Sequence, residues 1–216
     1  MTVTDQPAAS SPMDPIDLQR FRSLSSGYLA DLQEILSNLD LGALIRIVHR
    51  LRVARDAGRT VFVAGNGGSA ATASHWVNDL AKATRRSGQR AFRVIGLVDN
   101  VSWVTAIAND EGYERIFAGQ LENFAGPGDV LAVISASGNS PNVLRAVEVA
   151  RARGAISIGF VGFDGGQLRE RLDECLWVPT PQGAYGLVES VHSVACDMVT
   201  TCLIGDTATE PRSAVR

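Results

Sequence analysis

The chain has 216 residues, of which 45% are hydrophobic and 20% charged, and its formal net charge is −3. This length and composition predict one globular domain and exclude a chain that is disordered throughout. The slightly acidic balance offers no basic face for nucleic acid. The three cysteines show no paired spacing, so we interpret them as buried, reduced thiols. Because no apolar run reaches the ~20 residues of a membrane span and no signal peptide opens the chain, we expect a cytoplasmic protein with no membrane partner.

Two helices are predicted ahead of the first strand. Residues 1–14 are polar and aperiodic, which predicts a disordered leader. Apolar residues at helical spacing then predict helices over 15–39 and 41–57. Both helices are amphipathic, and one small sheet cannot readily cover both, so we expect one to pack on another subunit. The polar tail 206–216 is predicted to be loose, which leaves 15–205 as a single domain.

Strands and helices alternate through the rest of the chain. The pattern predicts an α/β fold, a doubly wound five-stranded parallel sheet flanked by helices. The predicted strands are 60–64, 92–97, 130–134, 155–161 and 174–178. The predicted helices are 69–83, 101–108, 113–124, 141–153 and 185–203.

The first strand leads into a glycine turn. The stretch 61–78 (VFVAGNGGSAATASHWVN) joins a buried strand to a helix through Gly65, Asn66, Gly67, Gly68 and Ser69. The first amides of such a helix lack intrahelical partners, and the turn therefore predicts an anion site. No lysine follows the glycines, which argues against a nucleotide P-loop. A G-x-G-x-x-A match leaves dinucleotide binding open, although no acidic residue ends the second strand at the expected distance.

A second loop of the same kind follows the third predicted strand. It reads Ser135, Ala136, Ser137, Gly138, Asn139 and Ser140, and a helix is predicted from Pro141. Serine hydroxyls at a helix start suit a phosphate monoester, because the helix end supplies the favourable charge. These serines could also be simple caps. Two such loops at the carboxyl ends of strands favour a phosphate-bearing ligand.

The chain resembles the sugar-isomerase (SIS) domain in four segments, which occur in the order AGNGGSAATASHWVNDLAK, IANDEGYERIF, ISASGNSPNV and VESVH. Within that superfamily the chain, from about residue 24 to 203, is most similar to the sedoheptulose 7-phosphate isomerases. The resemblance implies a phosphorylated sugar substrate and a homo-oligomer, expected to be a tetramer. Ala136 stands where the family often has threonine. The resemblance implies substrate contacts from Asn66, Gly67, Gly68, Ser69, Asn109, Asp110, Ser135, Ala136, Ser137, Ser140 and Glu189.

A divalent metal is also implied. From spacing alone, His75 and Asp79 share a helix face and could hold a metal or form an inert surface pair. The resemblance implies a metal, zinc in many family members, with Glu189 and Asp197 of the last helix as further ligands. Asp79 replaces the family's glutamate, Glu189 its glutamine and Asp197 its second histidine. The set is therefore richer in oxygen, and Mn²⁺ or Mg²⁺ becomes an alternative.

The same residues are the candidates for the acid and the base of the implied reaction. An aldose–ketose isomerase moves a proton between C1 and C2 through an enediol. We expect Asp79 to be the base, assisted by Glu189, Asp197 or His192. His192 could instead be a packing residue of the last helix. Because the last helix departs from the family pattern, a non-catalytic sugar-phosphate regulator or an adaptor for the bacterial replication initiator is an alternative function. A dinucleotide oxidoreductase is a weaker one.

Overall fold

The computed structural model describes residues 14–205. The predicted leader, apart from Asp14, and the predicted tail lie outside the described residues, and the 15–205 domain stays a prediction. The first helix, α1 (Pro15–Ser37), begins where the Asp14 carboxylate accepts a hydrogen bond from the Ile16 amide at 2.8 Å. The second, α2 (Leu41–Asp56), begins at Asp40, which accepts from the Ala43 amide at 2.9 Å. Both starts are therefore fixed by an aspartate cap.

The five predicted strands form one parallel sheet, which confirms the predicted fold class. The strands are β1 (Thr60–Gly65), β2 (Arg93–Gly96), β3 (Val130–Ser135), β4 (Ile156–Val161) and β5 (Glu174–Trp177). In spatial order the sheet runs β2-β1-β3-β4-β5. The chain order reverses between β1 and β3, and this switch point is where ligands bind in open α/β sheets.

Helices cover both faces of this sheet. Alternate residues of each strand point to opposite faces. The remaining α-helices are α3 (Gly68–Asn78), α4 (Val101–Asp110), α5 (Ala118–Phe124), α6 (Pro141–Ala152), α7 (Leu168–Arg171) and α8 (Tyr185–Gly205). Val61 and Val63 of β1 pack in one core with α2, α3 and α8, whereas Phe62 and Ala64 pack in a second core with α5 and α6.

Three helices differ from their predictions. The helix predicted over 69–83 changes to a π-helical turn at Asp79–Ala83, and the Thr84 hydroxyl donates to the Leu80 carbonyl where that turn ends. The helix predicted over 113–124 is split into a 3₁₀ turn and α5. α7 lies between the fourth and fifth strands, where no helix was predicted.

Two expectations drawn from the composition of the chain also differ from the structure. α8 has 21 residues and is long and apolar enough to span a membrane by length and composition alone, contrary to the expectation from the sequence. It packs in the core through Val188, Val191 and Val199. Of the three thiols only Cys196 is buried, and Cys202 is exposed, so the prediction that all are buried was wrong.

Candidate functional site

The loops that follow β1 and β3 meet in one pocket. Because β1 and β3 are neighbours in the sheet, their carboxyl ends deliver both loops to the same place. The pocket has a volume of about 130 Å³. It is lined by Asn66, Ser69, Ile134, Ser135, Ala136, Ser137, Ser140, Tyr185 and Glu189.

The first loop brings a helix start close to the sheet. Gly67 stands at the N-cap of α3 with φ +54°, and α3 has no side-chain cap, so its first amides are left for a ligand. A side chain at Gly65 could not be accommodated, because its Cβ would lie 2.6 Å from the Ser69 carbonyl oxygen and 3.1 Å from that of Ile134. Gly65 therefore allows the first turn of α3 to lie against the ends of β1 and β3.

The second loop presents hydroxyl groups. The Ser135 oxygen accepts from the Gly138 amide at 3.1 Å and the Ser137 oxygen from the Asn139 amide at 3.2 Å. Each hydroxyl proton remains available to donate to an anion. Ser140 is the N-cap of α6 and makes no side-chain cap bond. Gly138, at φ +64°, packs so tightly on the next loop that an added Cβ would overlap the Gly165 carbonyl oxygen.

Two asparagines tie the loops together. The side chains of Asn66 and Asn142 exchange two hydrogen bonds, of 2.9 and 2.8 Å. The Tyr113 hydroxyl donates to the Asn66 Oδ1 at 3.1 Å. Asn142 and Tyr113 were not among the predicted site residues. A polar residue between Pro141 and Val143, in a helix whose sheet-facing positions are apolar, is the signal that could have identified Asn142.

Glu189 is the acidic residue of the pocket. It projects from the first turns of α8, and its carboxylate lies so close to α3 that a Cβ added at Gly68 would overlap both of its oxygens. The other lining side chains are neutral, and none is lysine or arginine. The pocket therefore combines neutral hydrogen-bond donors, two helix starts and one carboxylate.

The predicted metal ligands are not brought together in one chain. His75 Nε2 lies 3.4 Å from Asp79 Oδ2, and neither residue lines the pocket. Asp197 follows Glu189 by eight residues, which separates the two by about 12 Å along α8. Within residues 14–205, no group of three or more histidine, cysteine, aspartate or glutamate side chains is arranged to hold a metal ion. The four residues of one chain therefore do not fit the implied metal.

Asp79 and Asp197 nevertheless lie near a common neighbour. Burial raises the pKa of the Cys196 thiol well above its ordinary value, and the charges of Asp197 and Asp79 raise it further. Asp197 is exposed, whereas the Asp79 side chain is 20% exposed. Both carboxylates therefore belong to the region around Cys196 rather than to the lining of the pocket.

His192 is a core residue in this structure. Its side chain is fully buried, with its ring 6.3 Å from that of Phe160, and neither ring nitrogen makes a hydrogen bond of ordinary geometry. Burial lowers its pKa to about 4, and the backbone of Val161 opposes this shift only in part. Since it does not line the pocket, the structure does not place it as the predicted proton shuttle.

Asn109 and Asp110 lie outside the pocket lining as well. Both end α4 and are exposed, and the Asn109 side chain donates to Asp110 Oδ1 at 2.6 Å. In one chain they are therefore bonded to each other at the surface and do not contribute to the pocket that holds the serines.

Comparisons with known proteins agree with this architecture. Residues 27–162 match the model of the SIS domain. A phosphoheptose isomerase from Trichlorobacter lovleyi is 39% identical over 190 residues, which cover 86% of this chain and 94% of that protein. A probable phosphoheptose isomerase from Thermoplasma acidophilum is 36% identical over 80% of this chain and 93% of its own length. The structure of the phosphoheptose isomerase GmhA from Neisseria gonorrhoeae superposes with a TM-score of 0.76 at 28% identity, covering 86% of this chain and 97% of that one.

Proposed function

The chain belongs to the SIS-domain family of sugar-phosphate isomerases, and we propose that it converts sedoheptulose 7-phosphate to D-glycero-D-manno-heptose 7-phosphate. One observation carries the proposal: the serine loop and a single carboxylate, Glu189, share one pocket. The heptose itself is suggested by the names of the relatives, several of which are phosphoheptose isomerases.

The phosphate is proposed to lie on the second loop. The hydroxyls of Ser135, Ser137 and Ser140 line the pocket together with the start of α3 at Ser69. Hydroxyls and helix N-termini bind phosphate without a cationic side chain. A volume of about 130 Å³ is small beside the ~300 Å³ and more of typical ligand pockets. The pocket therefore suits the phosphate end, and the sugar carbons would extend past Glu189 and Tyr185 towards its mouth.

Glu189 is then the best-placed acid–base group. Its carboxylate would remove a proton from C1 of the bound ketose. The electrons of that C–H bond would form the C1–C2 double bond, and those of the C2=O double bond would move to O2, which gives an enediolate. Transfer of the O1 proton to O2 moves the charge to O1, and return of the first proton to C2 then forms the C1=O bond of the aldose and restores the carboxylate. One positioned carboxylate can perform both transfers at carbon, because C1 and C2 are adjacent. This assignment differs from the expectation that Asp79 is the base.

The divalent metal stays a prediction. His75 and Asp79 would be its first two ligands, and the remaining ones would have to come from elsewhere in an assembly. Metal analysis of purified protein, with His75→Ala as the comparison, tests it. Bound metal at one equivalent that is lost in the variant supports the prediction, and a metal-free active enzyme contradicts it.

An oligomer is proposed from the surface of α1. None of the 23 residues of α1 is buried, although the helix carries several large apolar side chains. Exposed apolar surface of this kind marks interfaces with other chains. A homo-oligomer, with the tetramer as the expected form, would cover α1, and light scattering would measure its mass. The exposed apolar side chains of α1 are Ile16, Leu18, Phe21, Leu24, Tyr28 and Leu29.

The cytoplasmic location stays a prediction.

The central test changes Glu189. Glu189→Gln keeps the size of the side chain but removes the base, and kcat should fall at least about a hundredfold. Glu170→Gln, at an exposed position of α7, is the matched control. Aldose formation from sedoheptulose 7-phosphate is followed by NMR, beside hexose and amino-sugar phosphates. Full activity of Glu189→Gln would remove Glu189 from the mechanism. Turnover restricted to another sugar phosphate would overturn the assignment of the heptose phosphate as the substrate.

The role first expected for Asp79 is tested in the same assay. Asp79→Asn keeps the shape of the side chain and its place beside His75, so it removes only the negative charge and the base. If Glu189 alone is the base, Asp79→Asn should keep a kcat within a few-fold of wild type. A loss as large as that of Glu189→Gln would restore Asp79 to the mechanism.

A further inference from the structure

Asn142 is the buried partner of a pocket residue. The residue is 1% exposed and does not line the pocket, whereas Asn66, with which it exchanges two hydrogen bonds, does. A buried amide of this kind has to satisfy its donors and acceptors inside the protein. The hydrogen bonds of Asn142 therefore determine whether Asn66 presents a donor or an acceptor to a ligand.

The orientation of both amides is fixed by the backbone. Asn142 Oδ1 accepts from the Val143 amide at 3.0 Å, a donor that it shares with the Ser140 carbonyl at 3.1 Å, and a backbone N–H can only donate. This bond establishes which end of the Asn142 amide is the oxygen, a point that the two side chains alone would leave ambiguous. The Asn142 Nδ2 must then donate to Asn66 Oδ1, and the Asn66 Nδ2 to Asn142 Oδ1.

The Tyr113 hydroxyl completes the arrangement. Asn66 Oδ1 accepts from Asn142 at 2.8 Å and from Tyr113 at 3.1 Å, so both of its lone pairs are used. The Asn66 Nδ2 carries two hydrogens, and Asn142 takes one of them. Asn66 is therefore left with a free donor and no free acceptor beside the serines of the second loop.

We infer that Asn142 is a positioning residue that holds the Asn66 side chain as a hydrogen-bond donor to the bound phosphate. The inference rests on the phosphate site proposed above. An amide with its oxygen turned towards the anion would repel it, whereas the same amide with its nitrogen turned inward binds it. Asn142 acts on the ligand only through Asn66, and its own atoms need not touch the phosphate.

The test is a substitution that preserves shape. Asn142→Asp can accept from the Val143 and Asn66 amides, but its carboxylate cannot donate to Asn66 Oδ1. The Asn66 Nδ2 should keep its hydrogen bond to the carboxylate, whereas Asn66 Oδ1, which now faces a carboxylate oxygen that repels it, should rotate towards the pocket. Binding of inorganic phosphate, measured by calorimetry and as inhibition of the isomerase, should weaken at least about tenfold. Asn123→Asp, an exposed asparagine of α5, is the control for the added charge.

A double-mutant cycle separates orientation from charge. If Asn142 acts through Asn66, Asn142→Asp should add little to the loss in an Asn66→Ala background. Additive losses, or unchanged phosphate binding by folded Asn142→Asp, would overturn the inference and leave the phosphate site standing. If Asn142→Asp does not fold, Asn142→Leu enters the same cycle with the same expected coupling. Wild-type protein that binds no phosphate would overturn the phosphate site, and this inference with it.

Discussion

Acid should destabilise the protein through the buried ring of His192. The neutral imidazole is the form that the core accepts, and burial lowers its pKa from 6.5 to about 4. The contribution of this depressed pKa to the free energy of unfolding is therefore fully present above pH 6.5, and it is lost as the pH falls from there towards 4. A shift from 6.5 to about 4 corresponds to about 3 kcal/mol of unfolding free energy, of which roughly 2 kcal/mol is lost by pH 5.

The assay compares urea unfolding of wild type and His192→Leu at pH 7.5 and 5.0, at one protein concentration. A loss of roughly 2 kcal/mol moves the urea midpoint by about 1 M. The leucine variant should lack this part of the loss, because it has no ring to protonate. At pH 7.5 it should be as stable as wild type or more so, since it removes two buried ring nitrogens that make no hydrogen bond of ordinary geometry. His49→Leu, at an exposed histidine of α2, is the matched control. An equal dependence on pH in wild type and His192→Leu would refute the reasoning.

Three further predictions test other parts of the structure. Gly68→Ala should keep the fold but lower kcat at least tenfold, because its methyl group would displace the Glu189 carboxylate; thermal unfolding and turnover measure the two effects separately, and unchanged turnover would contradict the geometry. Asp129→Ala should cost about 2–4 kcal/mol in denaturant unfolding, because the buried carboxylate accepts from two backbone amides; a loss below 1 kcal/mol would be too small for this role. A thiol reagent at pH 8 should modify Cys202 rapidly and Cys196 only on unfolding, as peptide mapping would show, and fast labelling of Cys196 would contradict its burial.

The sheet and both loops could be predicted because their signals are local. Continuous apolar runs mark strands buried on both faces, and glycine or serine directly after them marks the turn into a helix. Once the strands are parallel, the loops after β1 and β3 must emerge at one edge. The meeting of Ser69 with Ser135, Ser137 and Ser140 follows from that rule without any distance information.

The acidic residues were harder to place because their geometry depends on helix phase. A helical spacing of four places His75 and Asp79 together, and the structure agrees. Whether Glu189 or Asp197 faces the pocket depends on how α8 lies against α3, which no local pattern encodes. The π-helical turn that begins at Asp79 also changes the phase of that helix, so residues after it do not follow the regular spacing.

Asn142 shows a further limit. Its role depends on contacts with Val143 beside it and with Asn66, 76 positions away. Only the fold reveals that a polar side chain in an apolar helix face has a partner there. The sequence contains the anomaly, but the partner is a property of the tertiary structure.

The pocket draws its anchoring groups and its reactive group from separate stretches of the chain. The serine and glycine loops belong to the sheet, whereas the carboxylate belongs to α8, at the far end of the chain. Substitutions in α8 can therefore alter which reaction occurs without weakening the binding of the phosphate by the two loops. A scaffold divided in this way can acquire new chemistry by gradual mutation, since intermediates along the route still retain their ligand.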